Sequence, residues 1–327
     1  MSGVEPQFTG AGGATDRIDP MPSTFTAVSY AKTLSPAALE RVRTVLAEHG
    51  YTVTAERSES HPGFEAVVLE LGSLNPAGTT NAQGTARLSR LRAALAEAGA
   101  GELSTAVVPD SLRHAERKFI IMDVDSTLIQ QEVIELLAAH AGTEAEVTRV
   151  TEAAMRGELD FAESLHHRVA TLAGLPESVL AEVGATIKLS VGAERLVAQA
   201  KAAGHVVAAV SGGFSQILAP LAQRLGLDYS MANDLEIVDG HLTGKVSGAV
   251  VDRAAKAVQL RLWSAESGIA KEATMAIGDG ANDLDMMAAA ALGVAFNAKP
   301  AVRAVADAQI NLPNLDVALA LADIHEP

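Results

Sequence analysis

Short apolar segments alternate with amphipathic stretches along the first third of the chain. Four strands are predicted by the segments FTAVSYA, TVTAERS, EAVVLELG and STAVVPD, which are short apolar and β-branched runs bounded by turn-forming residues. A first helix is predicted from Ser35, which suits an N-cap, to just before Gly50. A second helix carries Leu88, Leu91 and Leu95 on one face. The order strand–helix–strand–strand–helix–strand is typical of a ferredoxin-like α+β domain.

The pattern changes after this first unit. Four compact apolar strands are predicted by FIIMDVD, HVVAAVSGG, ATMAIGDGAND and ALGVAFN, and helical stretches lie between them. The segment EIVDGHLTGKVSG carries turn signals at Asp239-Gly240 and Thr243-Gly244 and predicts a hairpin. Repeated strand–helix units predict a parallel sheet covered by helices on both faces. Residues 128 to about 188 interrupt this alternation, because they are almost wholly helical in pattern.

These patterns divide the chain of 327 residues into two domains, which its length also favours. We expect a disordered, glycine- and proline-rich leader at 1–23 and a ferredoxin-like domain at 24–110. A polar linker at 111–118 is expected to lead to an α/β domain at 119–327, with its helical insertion at about 130–188.

The amino-acid composition excludes several classes of protein and of functional site. Hydrophobic residues make up 48% and charged residues 20%, which argues against a chain that is disordered throughout. The net charge of −15, without a basic stripe, excludes a broad surface for nucleic acid or anionic membranes. No cysteine is present, so disulfides, thiolate metal sites and cysteine nucleophiles are excluded. No signal peptide or membrane-spanning run is apparent, and we expect a soluble cytoplasmic protein.

Polar residues follow three of the predicted strands of the α/β domain. They are Asp123 and Asp125, then Ser211 and Gly212, then Asp279 and Asp283. Ligands of open parallel sheets bind at the carboxyl ends of the strands, so these groups are expected to converge on one crevice. A single aspartate after a strand is more often a turn former or a helix N-cap, but three polar strand ends make coincidence a poor explanation.

The two aspartates of the first strand lie two residues apart, so on a continuing strand they would point to the same side. Close carboxylates repel each other and favour a cation or a shared proton between them. With Asp279 nearby, such an oxygen-rich site suits Mg²⁺. Ser211 and Gly212 at a strand-to-helix junction suit phosphate. Lys256 is isolated among small residues in VDRAAKAVQ, and by itself it would be interpreted as a surface lysine.

The segments DVDST, VSGG, Lys256 and GDGAND, in this order, resemble the four motifs of the haloacid dehalogenase superfamily of phosphatases. The longer segments SGGFS, ANDLEIVDGHLTGKV and GDGANDLDMM are most similar to its phosphoserine phosphatase branch. The resemblance covers about 119–323. It implies a Rossmann-like parallel core with a helical cap inserted after the first strand. It also implies hydrolysis of O-phospho-L-serine to L-serine and phosphate, the final step of L-serine biosynthesis.

The resemblance also implies roles for the core residues. Asp123 would be the nucleophile that forms an aspartyl-phosphate, and Asp125 the general acid and base. Mg²⁺ would be held by Asp123, the backbone carbonyl of Asp125, and Asp279, with Asp283 orienting its bound water. The phosphate would be bound by Ser211, Gly212, Lys256 and Asn282.

In the cap, the resemblance implies that Glu132 receives the substrate ammonium group and that Arg168 binds its carboxylate. Met155 and Phe161 would close over the ligand. Each residue also has an ordinary interpretation. Glu132 and Arg168 could be exposed helix residues, and Met155 and Phe161 could belong to the core of the cap.

The first domain resembles ACT domains, which bind amino acids at their interfaces. Their usual aspartate and glycine are missing from its first strand–helix loop, YAKTLSPAAL. We therefore favour a role in homodimer formation, or a degenerate role, over serine binding for this domain. Two other functions stay open. One is phosphoryl transfer, or hydrolysis of another small phosphorylated metabolite, since the first half-reaction would need the same motifs. The other is an amino-acid sensor with a vestigial phosphatase, which the presence of both Asp123 and Asp125 disfavours.

Overall fold

In the computed structural model of the protein, the described residues are 25–73, 81–155 and 160–326. Four strands and two helices form the first unit: β1 (Phe25–Ala31), α1 (Pro36–Glu48), β2 (Tyr51–His61), β3 (Phe64–Ser73), α2 (Asn81–Gly99) and β4 (Ser104–Pro109). The strands form an antiparallel sheet in the order β2-β3-β1-β4. Ser35 caps α1 by accepting a hydrogen bond from the Ala38 N–H. The predicted ferredoxin-like arrangement is confirmed.

A second sheet contains seven strands: β5 (Phe119–Met122), β6 (Val206–Phe214), β7 (Tyr229–Val238), β8 (His241–Ser247), β9 (Thr274–Gly278), β10 (Leu292–Phe296) and β11 (Ala308–Ile310). Their order is β11-β10-β9-β5-β6-β7-β8. All neighbours pair in parallel except β7 and β8, which form the predicted hairpin. The predicted α/β fold with a parallel sheet is confirmed, and β5 lies in its middle.

The remaining helices are α3 (Asp110–Arg113), α4 (Val133–Ala141), α5 (Glu144–Met155), α6 (Phe161–Ala170), α7 (Ser178–Thr186), α8 (Ala193–Ala202), α9 (Ser215–Leu225), α10 (Arg253–Glu266), α11 (Leu284–Ala289), α12 (Pro300–Arg303) and α13 (Val317–Ala322). Helices α4–α7 form the inserted cap. A bridge between Ile129 and Leu189 closes its base, so the cap leaves and rejoins the core at nearly one point. No helix among the described residues is both long and apolar enough to cross a membrane.

The two units share apolar packing. Helices α1 and α2 cover one face of the first sheet, whereas the other face carries Tyr30, Phe64 and Val108 into the same core cluster as Leu319 of α13. The segment expected as a polar linker, 111–118, is half exposed, but its residues Leu112, Arg113 and Lys118 are buried. It begins within α3, where Leu112 is buried. The Arg113 guanidinium, also buried, donates to the backbone carbonyls of Ala320 and Leu321. This arginine supplies a donor to two carbonyls in the last turn of α13, where helical donors run out; the Ala320 carbonyl also accepts from the Asp323 N–H.

Candidate active site

The carboxylates that follow β5 and β9 meet at one edge of the sheet. Asp123 comes directly after β5 and Asp279 directly after β9, and these strands are paired neighbours. The Asp123 N–H donates to the carbonyl of Ile277 at 2.9 Å, which extends the pairing of β5 and β9 to this edge. One oxygen each of Asp123, Asp279 and Asp283 lies within 4.8 Å of the others. The expected convergence of the strand ends is therefore present.

Lys256 lies beneath this cluster and is completely buried. Its Nζ is 2.7 Å from Oδ1 of Asp123 and 2.8 Å from Oδ1 of Asp283. Asp252 accepts from the Ala255 N–H at 2.8 Å as the N-cap of α10, and so fixes the turn that carries the lysine. The interpretation of Lys256 as a surface residue is wrong. A buried ammonium group requires such partners, since an unpaired charge in the interior is strongly destabilising.

Asp283 has no freedom to act as an independent ligand. Its Oδ1 pairs with Lys256, and its Oδ2 accepts from the backbone N–H groups of Asp279 and Gly280 at 3.2 and 3.0 Å. Gly278 makes this approach feasible, because a Cβ there would lie 2.4 Å from Cγ of Asp283. Asp283 therefore fixes both the lysine and the loop that carries Asp279.

Burial dominates the electrostatics of the acidic groups. It raises the pKa of Asp123 to about 7, with a further upward contribution from Asp283 that Lys256 only partly offsets. Burial also raises the pKa values of Asp125 and Asp279 well above their usual range, and neighbouring carboxylates add to both shifts. Such a cluster favours a proton or a cation between its members. The donors are carboxylate oxygens, which fit Mg²⁺.

The turn after Asp123 connects the core to the cap. Strand β5 ends at Met122, so the two aspartates do not lie on a continuing strand as expected. Instead the chain turns sharply through Ser126, a non-glycine residue with a left-handed φ of 55°. Asp125 still reaches the same cavity, where its Oδ1 accepts from the Val133 N–H at 3.4 Å. The hydroxyl of Ser126 donates to Glu132 at 2.7 Å, which joins this turn to the start of the cap.

The glycine-rich segment after β6 differs slightly from expectation. The strand continues to Phe214 and α9 begins at Ser215, so Ser211 and Gly212 belong to the strand and not to a helix N-terminus. Asn233 holds this segment, since its side chain donates to the carbonyl of Gly212 at 2.9 Å and accepts from the Val251 N–H at 2.8 Å. In the sequence, Asn233 belongs to ANDLEIV, part of a segment that resembles phosphoserine phosphatases.

These elements enclose a cavity of about 210 Å³ between core and cap. Its lining includes the predicted residues Asp123, Asp125, Glu132, Arg168, Ser211, Gly212, Asp279 and Asn282. Lys256 and Asp283 support it from below. The side chains of Met155 and Phe161 lie outside the described residues.

Arg168 is the buried cation of the cap wall, only 7% exposed. Its Nη1 donates to the hydroxyl of Thr151 at 3.0 Å and its Nε to the carbonyl of Ser164 at 3.1 Å. The interpretation of Arg168 as a surface residue is wrong. Thr151 and Arg253 also line the cavity and were missed, because neither belongs to a recognisable motif.

A family model for haloacid dehalogenase-like hydrolases matches residues 120–288, which contain this cavity. The chain belongs to this family. The relatives include phosphoserine phosphatases. A phosphoserine phosphatase of Streptomyces coelicolor is 57% identical over 72% of this chain and 57% of its own length. The phosphoserine phosphatase SerB2 of Mycobacterium tuberculosis is 44% identical over 93% of this chain and 72% of its own length.

The fold agrees with these relationships. A solved phosphoserine phosphatase, described as a phospho-aspartyl intermediate analogue, matches with a TM-score of 0.61 and 41% identity. The match covers 63% of this chain and 99% of that one. The predicted membership of the haloacid dehalogenase phosphatases is confirmed. The aligned part spans little more than half of the Streptomyces relative.

We predict that Gly278→Ala lowers the phosphatase activity expected of this family without unfolding the protein. The new methyl group would displace Asp283 and with it Lys256, and an ångström of misplacement at a reacting centre can lower turnover about 100-fold. Phosphatase turnover and circular dichroism would be measured together. The matched control is Gly184→Ala in α7, where the added Cβ meets Ile217 at an ordinary 3.9 Å. Normal turnover by a folded Gly278→Ala protein would contradict the role given to Asp283.

Proposed function

We propose that this protein hydrolyses O-phospho-L-serine to L-serine and phosphate, the last step of L-serine biosynthesis. One observation carries the proposal: a single cavity joins the Asp123–Asp125 pair of the core to Glu132 and Arg168 of the cap. These four side chains complement the four parts of the substrate. They meet its phosphorus, its leaving oxygen, its ammonium group and its carboxylate, respectively. The phosphoserine phosphatases among the relatives support the same substrate.

The first step is attack of an Asp123 carboxylate oxygen on phosphorus. The bond from phosphorus to the seryl oxygen breaks, and Asp125 donates its proton to that oxygen. The raised pKa of Asp125 supports this role, because a general acid must hold a proton near neutral pH. The products of this half-reaction are L-serine and an aspartyl-phosphate on Asp123. A carboxylate nucleophile thus divides one difficult hydrolysis into two easier displacements.

The second step consumes water. Asp125, now deprotonated, takes a proton from a water molecule as the water oxygen attacks phosphorus. The bond between phosphorus and Asp123 breaks, which releases phosphate and restores the free carboxylate. The hydrogen bond from the Val133 N–H keeps Asp125 directed into the cavity through both steps.

Charge on the phosphoryl oxygens is proposed to be stabilised by Lys256, Ser211, Gly212 and Asn282. Mg²⁺ would be held by Asp123, the Asp125 backbone carbonyl and Asp279, and when bound it supplies positive charge beside the phosphoryl group. The hydroxyl of Thr127, which donates to Asp279 at 3.1 Å, orients that carboxylate for this purpose. Asp283 would orient metal-bound water indirectly, through its hold on the Asp279 loop.

Substrate selection is assigned to the cap. The planar guanidinium of Arg168 suits a carboxylate, and its bonds to Thr151 and Ser164 preorganise it. Glu132, oriented by Ser126, is proposed to bind the ammonium group. Met155 and Phe161 are proposed to close over the ligand and exclude water.

For the first domain, proposed at 24–110, we infer a role in homodimer formation. Strand β2 lies at the edge of its sheet, and most of its side chains are exposed. An edge strand presents unpaired backbone groups that a second chain can use. Serine binding is the weaker proposal, because the loop after β1 lacks the aspartate and glycine typical of ACT domains. The α/β domain is proposed at 119–327, with its cap at about 130–188. The cytoplasmic location stays a prediction.

Phosphate release from a substrate panel tests the proposed function. With Mg²⁺, phosphoserine should be preferred over phosphothreonine, phosphoglycolate and a sugar phosphate, and a chelator should abolish turnover. Asp123→Asn should lower turnover at least about a thousandfold, because it removes the nucleophile. Asp239→Asn, at the exposed hairpin turn, is the matched control. Equal activity on phosphoglycolate would overturn the proposal, and phosphorylation of added homoserine would favour phosphoryl transfer instead.

Arg168→Ala should separate substrate selection from chemistry. We expect KM for phosphoserine to rise about 100-fold, because an ion pair in a buried site is lost, with little change toward p-nitrophenyl phosphate. Steady-state kinetics on both compounds provide the comparison. Arg149→Ala removes an exposed arginine of the same cap and should leave both activities unchanged. An equal fall on the two compounds would refute the carboxylate-binding role.

Metal removal should weaken binding of inorganic phosphate, the product, by about tenfold or more. The described cavity lining carries four carboxylates, so without a cation it repels anions. Titration calorimetry with Mg²⁺, and with NaCl at equal ionic strength, measures the difference. Equal affinity for phosphate under both conditions would contradict this prediction, because Lys256 and Arg168 would then suffice to reverse the local charge.

A further inference from the structure

Arg253 is a second arginine of the cavity wall, on the side opposite Arg168. It is the first residue of α10, and its side chain lines the cavity from the core. Its side chain is 47% exposed, whereas Arg168 is buried. Arg253 therefore stands where the cavity opens to solvent.

The balance of charges in the cavity shows why the position of Arg253 matters for binding an anion. The described lining contains four carboxylates, Asp123, Asp125, Glu132 and Asp279, against two guanidinium groups. Lys256 is already paired with two carboxylates below the cavity floor. On a chain of net charge −15, an incoming phosphate dianion meets mostly negative surroundings. Arg253 is the accessible cation on the core wall, the wall to which the phosphate must bind.

Arg253 also has a competing partner. Its Nη2 lies 2.5 Å from Oδ1 of Asp285, and both side chains are nearly half exposed. An exposed ion pair of this kind contributes little, about 0–1 kcal/mol, so the arginine can exchange Asp285 for another anion. Asp285 lies in the first turn of α11, directly after the turn of Ala281 and Asn282 that lines the same cavity. The exchange therefore needs only a side-chain movement.

We propose that Arg253 captures the phosphate group of the substrate at the cavity mouth, and that Asp285 is the counter-ion that holds the arginine between turnovers. The inference rests on the proposed phosphatase function and adds a binding residue to it. The guanidinium fork suits two phosphate oxygens at once. When phosphate leaves, Arg253 returns to Asp285, so product release does not leave the arginine unpaired.

Opposite effects of two substitutions test the proposal. Arg253→Gln should raise KM for phosphoserine about tenfold, leave kcat within about twofold, and reduce the dependence of kcat/KM on salt. Arg253→Lys should recover much of kcat/KM, because it keeps the charge. Asp285→Asn should act in the other direction and lower KM, since it removes the competitor. Inorganic phosphate should likewise inhibit Arg253→Gln more weakly, and Asp285→Asn more strongly, than it inhibits the wild-type protein.

The control lies on the same helix. Arg261→Gln removes the same charge from an exposed position of α10 outside the cavity lining. Arg261 lies eight residues, or about 12 Å, along the helix from Arg253. This variant should leave kcat/KM unchanged. If the pair only stabilised the fold, Arg253→Gln and Asp285→Asn would lower the melting temperature together without moving KM, and the inference would be wrong. If the wild-type protein prefers another phosphomonoester, the proposed substrate is wrong, but the opposite-sign comparison still tests Arg253 on that compound.

Discussion

The site depends on one buried ion cluster, in which the ammonium group of Lys256 joins Asp123 to Asp283. The three residues come from three separate elements: the end of β5, the first turns of α10 and the turn after β9. Because a buried lysine needs both carboxylates, the cluster fixes the relative positions of these elements. Asp283 extends the constraint to the backbone of Asp279 and Gly280. The proposed nucleophile Asp123 and the proposed metal ligand Asp279 are thus placed by the same interaction.

Around this fixed centre, the cap that we propose selects the substrate is attached at its first turn and at the β7–β8 hairpin, where the N–H groups of Gly174 and Glu177 donate to the carbonyls of Leu242 and Gly240. The cap begins at a turn whose Ser126 bonds to Glu132 and whose Asp125 bonds to the first residue of α4. Arg168 is oriented entirely from within the cap, by Thr151 and Ser164. In the proposed function, the chemistry therefore belongs to the core, and the recognition of the amino-acid part belongs to a wall that is supported within the cap. On that proposal, a change of substrate would require new residues in the cap and none in the cluster below it.

The sequence predicted much of this arrangement, because compact apolar strands that end in Asp123, Ser211 and Asp279 specify a parallel sheet and its ligand-binding edge. It could not assign Lys256 from its surroundings, since the two carboxylates that bury it lie more than twenty residues away along the chain. Thr151 and Arg253 were missed because neither belongs to a recognisable motif and each has a partner that only the folded chain supplies. Leu112 and Arg113 were taken for a linker because local polarity hides contacts with α13.

The packed face between the two sheets limits how the first domain can influence catalysis. The hydroxyl of Tyr30 donates to the carbonyl of Gln309 in β11, and Arg92 pairs with Asp307, whose other oxygen accepts from the N–H of Gly293. A hinge rotation between the two sheets would disrupt the continuous apolar core that they share. An effector bound to the first sheet would instead act on the edge strand β11, which pairs with β10, and β10 in turn pairs with β9, the strand that ends at the Asp279 loop. Any influence of the first domain on that loop would therefore have to cross the sheet from strand to strand.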